Sequence, residues 1–352
     1  MVELLGAIVG CGAIGREHAA ALKQLKNVRL AAVCDISPAR AAAMAERFEI
    51  ETWLTDHRKL LEGRKPDLVH IATPPAAHVA LASDFLNAGC NVLCEKPLAP
   101  RRQDVIALKD LAVANRAMLI ENQQFRRHSS VRRIQRMVES GELGDLLELQ
   151  ISVSLDVTSE GSAYIDRNLP HFSASLPGGV VADFLPHMVY LARMFVGPVA
   201  NVSSIWRKHK AGTPLVADEF RGFLNAERAT AYLSFSGNAQ PDAFLIRAIG
   251  TRMRVEANLF EPPKLVTKKA RRGEPALMTL VDGVAESRSV FAGSFGGLYR
   301  KLAGTSSYDG MTEFIGEIYQ AIESGAPQPV TLEEIDELSA TIDRLVGPER
   351  RI

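Results

Sequence analysis

The sequence predicts an α/β protein, in which a doubly wound parallel sheet is followed by an α+β domain with a mostly antiparallel open sheet. Over the first 120 residues, apolar strand-like runs alternate with helical segments, the pattern of a parallel sheet with right-handed crossovers. A turn of the form G-x-G-x-x-G joins the first run to the first helix. Near residue 122 the alternation ends. Because 352 residues suffice for two domains, we place them at 1–122 and 123–352.

The first predicted domain contains five strands and five helices. Its strands are continuous apolar runs, which is typical of a sheet whose two faces are both covered by helices. Gly89 and the pair Pro74-Pro75 separate elements from one another. The strands are predicted at 4–9, 28–34, 67–72, 91–95 and 117–121, and the helices at 14–26, 38–47, 56–62, 76–88 and 101–115.

The second predicted domain consists mainly of strand-like runs joined by short connections, which favours an antiparallel sheet with helices on one face. Thr331 and Glu334 have the spacing of a capping box at a helix start. Residues 292–308 are rich in Gly and Ser and are predicted to form a mobile loop. The strands are predicted at 146–155, 199–206, 219–224, 229–235, 245–250 and 252–259, and the helices at 129–140, 184–195, 309–324 and 331–346.

The glycine-rich turn predicts a dinucleotide-binding site. Gly10 allows the tight turn, Gly12 lets the backbone approach a pyrophosphate, and Gly15 lets the helix pack against the strand. The predicted helix follows this turn directly, so its N-terminus faces the phosphate charge. The alternative is a glycine turn with a purely structural role, but the apolar strand before it and the amphipathic helix after it favour the binding site.

Asp35 indicates which dinucleotide is bound. It stands at the end of the second predicted strand, twenty residues after Gly15. A carboxylate at this place accepts hydrogen bonds from the adenosine ribose hydroxyls and repels a 2′-phosphate. Ile36, Ser37 and Pro38 follow, with no basic residue at the strand tip. NAD is therefore favoured over NADP.

Composition excludes several classes of partner. Lys+Arg and Asp+Glu both number 41, so no net charge attracts the chain to nucleic acid or to a membrane surface. The four cysteines lie in the first third of the chain, and their spacing matches neither a zinc site nor a disulfide framework. The first strand begins close to Met1, and no apolar stretch could span a bilayer. We therefore expect a cytoplasmic protein without a bound metal.

Two clusters follow the third and fourth predicted strands, where ligands of doubly wound sheets bind. Thr73, Pro74 and His78 would border the nicotinamide, although the same residues could simply start a helix. Glu95 and Lys96 form a charged pair at the end of a buried strand, which is costly unless the pair has a partner or a task. The lysine could donate to a substrate hydroxyl or carbonyl oxygen, whereas an arbitrary lysine would simply be solvated.

A third cluster lies in the second domain. Asp183 and His187 stand four residues apart and so share one face of a helix. Histidine is suited to take a hydroxyl proton because its pKa lies near the operating pH, and the carboxylate could orient its ring or hold the substrate. Pro186 suggests that the pair lies at a helix start. Spacing alone leaves a structural role open, and residues 123–128 at the domain junction could line a cleft or form a solvated connector.

Together these features resemble the Gfo/Idh/MocA oxidoreductase family. The resemblance runs along nearly the whole chain, and Glu95-Lys96-Pro97 is its most specific part. It implies a Rossmann domain, a cis Lys96–Pro97 bond and a second sheet that commonly forms oligomer interfaces, so we expect a homodimer or homotetramer. It assigns Lys96, Asp183 and His187 as catalytic and substrate-binding residues. It also implies that Arg126 binds substrate, while Gly10, Gly12, Ala13, Ile14, Gly15, Asp35, Thr73, Pro74, His78, Glu95 and Lys96 bind cofactor.

Four positions depart from the family pattern. Leu185 stands where the family commonly has Gly, Tyr190 where it has Asp, and Ser129 where it has Pro. Pro75 stands where the loop after the third strand often has Asn. None of these changes removes a reacting group. They indicate an altered substrate pocket, so the substrate itself cannot be inferred from the resemblance.

We therefore predict an NAD-dependent oxidoreductase that acts on a secondary alcohol or ketone of a sugar, nucleotide-sugar or cyclitol. One alternative is a redox-neutral enzyme that oxidises a sugar carbon, performs an elimination and reduces the carbon again. Another is a non-catalytic regulator that binds a dinucleotide. Retention of Lys96, Asp183 and His187 argues against the regulator.

Overall fold

The computed structural model describes residues 3–261, 263–269 and 309–348. The predicted loop at 292–308 lies outside these residues. The chain forms two compact units, which differ from the domains expected from sequence. Among the described residues, unit 1 comprises 3–127 and 309–343, and unit 2 comprises 128–261, 263–269 and 344–348.

Unit 1 is built on a six-stranded sheet whose strands all pair in parallel. The strands are β1 (Leu4–Val9), β2 (Val28–Cys34), β3 (Thr52–Leu54), β4 (Leu68–Ile71), β5 (Asn91–Cys94) and β6 (Leu119–Glu121). Their order across the sheet is β3-β2-β1-β4-β5-β6. This is the order of a doubly wound sheet with its switch point beside β1, so the carboxyl ends of β1, β2, β4 and β5 border one ligand-binding edge.

The helices of the N-terminal segment are α1 (Ala13–Leu22), α2 (Pro38–Phe48), α3 (His78–Asn87) and α4 (Arg102–Asn115). Residues predicted as a helix at 56–62 form a short 3-10 helix instead, His57–Leu61. The sequence analysis missed β3. That strand is a three-residue edge strand with exposed or half-buried side chains, so it lacks the continuous apolar run of the central strands.

The last two helices belong largely to unit 1. Helix α7 (Met311–Ser324) places Phe314, Ile315 and Ile318 in the same buried core as β1 and β4. Most of helix α8 (Leu332–Val346) also lies in unit 1. The predicted boundary at residue 122 assigned both helices to the second domain. The structure differs because apolar residues of both helices join the buried core of unit 1, a long-range contact that hydrophobic periodicity does not specify.

Unit 2 contains a seven-stranded, mostly antiparallel sheet in the order β13-β12-β11-β7-β10-β9-β8. Only β7 and β10 pair in parallel among the described strands. Alternate residues are buried along β7, β10 and β11, as expected when one face is covered. The strands are β7 (Leu146–Ser154), β8 (Val199–Arg207), β9 (Glu219–Ala226), β10 (Thr230–Ser236), β11 (Ala243–Gly250), β12 (Met253–Asn258) and β13 (Val266–Lys269).

Two helices complete unit 2. Helix α5 (Ser129–Glu139) follows the junction, and helix α6 (Val180–Val196) packs on β7 and β10. Helix α6 is buried on nearly all sides, which explains why it extends four residues beyond the predicted start despite Gly178-Gly179 before it. Within the described residues, no helix combines the length and hydropathy needed to cross a membrane.

Candidate active site

The glycine turn joins β1 to α1 and has the geometry of a phosphate cradle. Gly10 has a φ of +103°, and a Cβ atom there would collide with the Ala72 carbonyl. A Cβ on Gly12 would meet no atom within 4 Å, so open space lies beside this backbone. Helix α1 has no side-chain cap and no acid in its first turn. The first amide groups of this helix, at Ala13 and Ile14, are therefore suited to an anion.

Asp35 directly follows β2 and is 92% buried, at 8% exposure. Its Oδ2 accepts a hydrogen bond from the Cys11 amide at 2.8 Å, and its Oδ1 accepts one from the Ser37 amide at 2.9 Å. A carboxylate oxygen can accept more than one hydrogen bond. Asp35 is thus fixed against the glycine turn and keeps acceptor capacity for ribose hydroxyls.

The loops after β4 and β5 are connected by His78. Its Nδ1 lies 2.9 Å from the Pro97 carbonyl and its Nε2 lies 2.8 Å from the Thr73 carbonyl. Burial lowers the pKa of His78, although both carbonyl contacts act to raise it. Because both ring nitrogens lie against main-chain carbonyls, His78 connects the two loops. Its contact with the cofactor stays a prediction.

Thr73 offers a different signal. Its Oγ1 is buried and has no hydrogen-bond partner among the residues that the structure describes. Buried hydroxyls are normally paired, so an orphan at the carboxyl end of β4 needs an explanation. A ligand beside the glycine turn would supply the missing partner. Pro74, the next residue, is exposed.

Glu95 and Lys96 follow β5, and the Lys96–Pro97 bond is cis, as expected from the family resemblance. Glu95 is buried, whereas Lys96 is half-buried. The Oε1 of Glu95 lies 2.9 Å from His18 Nε2 and accepts from Asn122 Nδ2 at 2.5 Å. Burial acts to raise the pKa of Glu95, but His18, Asn122 and the charge of Lys96 together lower it below its ordinary value.

Glu121, at the end of β6, is a second buried carboxyl group beside this turn. Its Oε1 accepts from the Leu98 amide at 2.8 Å, and its Oε2 accepts from Gln123 Nε2 at 3.3 Å. Burial raises the pKa of Glu121 to about 7, opposed by these hydrogen bonds. The pKa values of these two neighbouring carboxyl groups are thus shifted in opposite directions. Glu95 has a histidine partner, whereas the hydrogen-bond donors that Glu121 has among the described residues are neutral.

Arg126 lies in a short 3-10 helix of unit 1, Gln124–Arg127. Its guanidinium donates to Gln123 Oε1 at 3.0 Å and forms an ion pair with Glu334 Oε1 at 3.0 Å. Glu334 of α8 therefore fixes the position of Arg126 at the junction. The contact of Arg126 with a substrate stays a prediction.

Asp183 and His187 lie in the first half of α6 and are both buried. Their spacing places them on one face, as predicted. His187 Nδ1 lies 3.0 Å from the Tyr190 hydroxyl, one turn further along the helix. Asp183 lies in the first turn of the helix, in keeping with the expected helix start, whereas Pro186 and His187 lie further inside it. Sequence reasoning noticed Tyr190 only as a departure from the family pattern and did not predict its contact with His187.

The predicted residues therefore fall into two groups. Gly10, Gly12, Asp35, Thr73 and Lys96 share the carboxyl edge of the unit 1 sheet, while Asp183 and His187 share one helix of unit 2. The predicted convergence of the two groups on one cleft remains a prediction. Sequence reasoning missed four buried polar side chains of unit 1, because isolated polar residues within or beside apolar segments carry no recognisable pattern. They are His18, His70, Asn122 and Tyr319.

Two family models match the chain. One is described as an oxidoreductase family with an NAD-binding Rossmann fold and covers residues 5–123. The other is the Gfo/Idh/MocA C-terminal domain and covers residues 131–256. The chain belongs to the Gfo/Idh/MocA oxidoreductase family. This match confirms the family, the fold class and NAD as the cofactor class predicted from sequence, and the open space at Gly12 and the orphan Thr73 hydroxyl fit such a cofactor.

Curated relatives from this family act on sugars and cyclitols. D-apiose dehydrogenase of Paraburkholderia graminis is 29% identical over 203 residues, which cover 56% of this chain and 51% of that protein. Inositol 2-dehydrogenase of Rhizobium meliloti is 29% identical over 192 residues, 54% of each chain. The chain thus spans about half the length of these relatives.

Solved structures of the family share the fold at low sequence identity. An oxidoreductase from Agrobacterium radiobacter, in complex with NAD⁺, L-tartaric acid and magnesium, has a TM-score of 0.76 and 19% identity, with 97% of this chain and 94% of that chain covered. A levoglucosan dehydrogenase in complex with NADH has a TM-score of 0.77 and 18% identity, with 97% and 96% covered. At these identities the likeness concerns the fold alone.

Proposed function

We propose that this protein is an NAD-dependent dehydrogenase that acts on a secondary alcohol of a sugar, nucleotide-sugar or cyclitol. The observation that carries the proposal is the turn after β5, where half-buried Lys96 follows buried, ionised Glu95 at the ligand-binding edge of an NAD-binding sheet. The dehydrogenases of sugars and inositol among its relatives support the substrate class.

The cofactor would be held by the glycine turn and the adjacent strand ends. Amide groups of Ala13 and Ile14 would face the pyrophosphate, with the backbone of Gly10, Gly12 and Gly15 giving it room. The carboxylate of Asp35 would accept ribose hydroxyls and exclude a 2′-phosphate, so NAD is preferred to NADP. Thr73 and Pro74 would border the nicotinamide half, with His78 fixing their loop from behind.

Bound NAD supplies the hydride acceptor, and this chain supplies placement and proton transfer. His187 takes the hydroxyl proton of the substrate, and the Tyr190 hydroxyl at its Nδ1 fixes the ring. Lys96 donates to the same substrate oxygen and stabilises the negative charge that develops there. Asp183 holds a neighbouring hydroxyl or orients His187, and Arg126 contacts the substrate from the junction.

We also infer a cytoplasmic homo-oligomer, a dimer or tetramer, assembled through the open face of the unit 2 sheet. Large apolar side chains lie exposed on this face: Ile205 is 59% exposed and Phe223 is 46% exposed. The rings of Phe223 and Tyr232, on paired strands, form an edge-to-face contact with 5.9 Å between their centroids. Contiguous exposed apolar residues of this kind commonly mark interaction surfaces. Light scattering of the wild type and of Phe223→Asp tests the assembly.

The activity is tested by screening free sugars, nucleotide-sugars and inositols for NAD reduction, and then by single-turnover hydride transfer. We expect His187→Ala to lower the rate about 10²–10⁴-fold, with NAD affinity nearly unchanged. The matched control is His209→Ala, the same change at an exposed residue of unit 2. Near wild-type rates of His187→Ala at all pH values would contradict the mechanism. Transformation of a sugar without net NADH would instead support the redox-neutral alternative.

A further inference from the structure

A chain of buried polar side chains crosses unit 1 from helix α7 to the turn after β5. The Tyr319 hydroxyl lies 3.0 Å from His70 Nε2, and His70 Nδ1 lies 2.9 Å from His18 Nδ1. His18 Nε2 in turn lies 2.9 Å from Glu95 Oε1. All four side chains are at least nine-tenths buried, so water does not compete for these hydrogen bonds.

A count of hydrogen-bond donors assigns one direction of donation along these four side chains. Burial, with the charge of Asp67 nearby, raises the pKa of Tyr319 well above its usual range, so its hydroxyl keeps its proton. Burial lowers the pKa of His70, which is therefore neutral and has one donor and one acceptor nitrogen. Among the described residues, His70 Nε2 is the recorded hydrogen-bond partner of the Tyr319 hydroxyl.

If Tyr319 donates to His70 Nε2, the proton of His70 lies on Nδ1 and is donated to His18. The Nε2 proton of His18 is then donated to Glu95, which accepts as a carboxylate. The opposite direction would require a charged His18 and would leave the buried Tyr319 proton without a recorded acceptor, a costly arrangement. Each tautomer is therefore set by the hydroxyl at the far end.

The glycine in β1 is a second, independent observation. A Cβ atom on Gly6 would collide with the Tyr319 hydroxyl. Glycine inside a strand weakens it and often marks a close approach of another group. Here the missing side chain provides the space in which this hydroxyl reaches His70.

We propose that Tyr319, His70 and His18 are positioning residues that hold the Glu95 carboxylate in one orientation beside Lys96 through a directed chain of hydrogen bonds. The proposal rests on the proposed function, in which Lys96 contacts the substrate oxygen. Glu95 Oε2 faces the Lys96 amide at 3.3 Å, so the orientation of the carboxylate and that of the turn are linked. The charged and titratable groups that act on Glu95 or Glu121 in this region are His18, His78, Lys96, Cys94 and the two carboxyl groups themselves.

The consequence is that Tyr319 of helix α7 contributes to the active site without touching it. Loss of these hydrogen bonds weakens the contact between His18 and Glu95, which helps to keep Glu95 ionised. Because the hydrogen bond from His18 lowers the pKa of Glu95, weakening that bond moves the titration of Glu95 to higher pH. When the solution is acidified, a variant without these hydrogen bonds should therefore lose activity at a higher pH than the wild type does.

The experiment uses the full-length protein and three variants. Tyr319→Phe removes the hydroxyl and retains the ring, His70→Leu removes the link, and His70→Asn keeps an N–H group for His18. Tyr232→Phe is the control, because it removes the same atom from a tyrosine of unit 2. NMR of ¹⁵N-labelled histidine rings reports the tautomers in the cofactor-free protein. NMR of ¹³C-labelled carboxyl groups reports the Glu95 titration, and the Glu95→Gln variant identifies the Glu95 signal.

We expect the wild type to carry its protons on His70 Nδ1 and His18 Nε2. Tyr319→Phe and His70→Leu should move the Glu95 titration to higher pH. They should also lower kcat about fivefold to tenfold, which corresponds to the net free energy of one hydrogen bond. The KM for NAD should stay unchanged, and His70→Asn should recover part of the loss. A charged His18 at neutral pH, or a Glu95 titration equal to that of the control, would overturn the proposal. The two NMR measurements decide this even if no substrate is found.

Discussion

At the residue scale, Asp35 combines a structural and a selective task. Its carboxylate holds the amide groups of Cys11 and Ser37, and it is expected to exclude a 2′-phosphate. We expect Asp35→Ala to weaken NAD binding and to shift the ratio of the NAD and NADP affinities toward NADP. Calorimetric titration with both cofactors measures this. Asp56→Ala, which removes an acid that caps a turn after β3, is the control. Tighter binding of NADP by the wild type would contradict the assignment.

Glu121 sets a second prediction, which concerns stability and pH. Burial raises its pKa from 4.5 to about 7 in the folded chain. Between pH 4.5 and about pH 7, Glu121 is ionised in the unfolded chain but still protonated in the folded chain. The stabilisation that comes from the raised pKa is therefore complete below pH 4.5. It decreases as pH rises and is absent above about 7. The difference corresponds to about 3 kcal/mol.

Glu121→Gln should remove this pH dependence, because the amide stays neutral and can still accept from the Leu98 amide. Urea unfolding at about pH 5 and about pH 8 measures the free energy at the two ends of the window. The wild type should lose more stability than Glu121→Gln between these values. Glu139→Gln, at the exposed end of α5, provides the control. Equal losses for the wild type and Glu121→Gln would place the carboxyl group in a solvated environment instead.

At the element scale, the start of α8 shows a local rule that held. The Glu334 amide donates to Thr331 Oγ1 at 3.1 Å, and the Thr331 amide donates to Glu334 Oε2 at 2.9 Å, which is the predicted capping box. Thr331→Ala should lower the free energy of unfolding by about 1 kcal/mol, because one helix amide loses its partner. Thr331→Ser should be close to wild type in urea unfolding. Equal losses in both variants would point to the Thr331 methyl group instead.

Other elements could not be predicted from local sequence. Strands β3 and β13 are short edge strands, and their polar or exposed residues give no apolar run to detect. Helix α6 begins at Val180, where two β-branched residues and a preceding glycine pair argue against a helix. Burial of its residues on the unit 2 sheet outweighs that local preference. Elements with strong periodicity or a cap were therefore predictable, and those decided by tertiary contacts were not.

At the scale of the whole molecule, unit 1 is discontinuous in sequence. Helix α7 buries Phe314, Ile315 and Ile318 in its core, and these three side chains contribute roughly 5 to 9 kcal/mol. That is comparable with the whole stability of a typical domain, about 5 to 15 kcal/mol. A chain truncated after residue 308 should therefore lose cooperative unfolding and NAD binding, although the glycine turn is intact.

Calorimetric melting and NAD titration of the truncated chain measure this effect. The control is Glu323→Ala, an exposed change within α7 that leaves its buried face in place. A truncated chain that melts cooperatively and binds NAD like the full chain would show that the N-terminal segment folds alone. The turn, Asp35 and the Lys96 loop were predictable because they are local motifs. The contribution of α7, and of Tyr319 within it, was not, because 249 residues separate Tyr319 from His70.

The placement of the four thiols makes unit 1 chemically observable by itself. Cys11, Cys34, Cys90 and Cys94 are all buried, and burial raises the pKa of Cys11 to about 12 and of Cys34 to about 11. Alkylating reagents attack the thiolate, so labelling must wait until the sheet opens. The sequence has no cysteine outside unit 1. The mass gained over time therefore counts openings of the nucleotide-binding half alone, and a saturating dinucleotide should slow that count in proportion to its concentration over its dissociation constant.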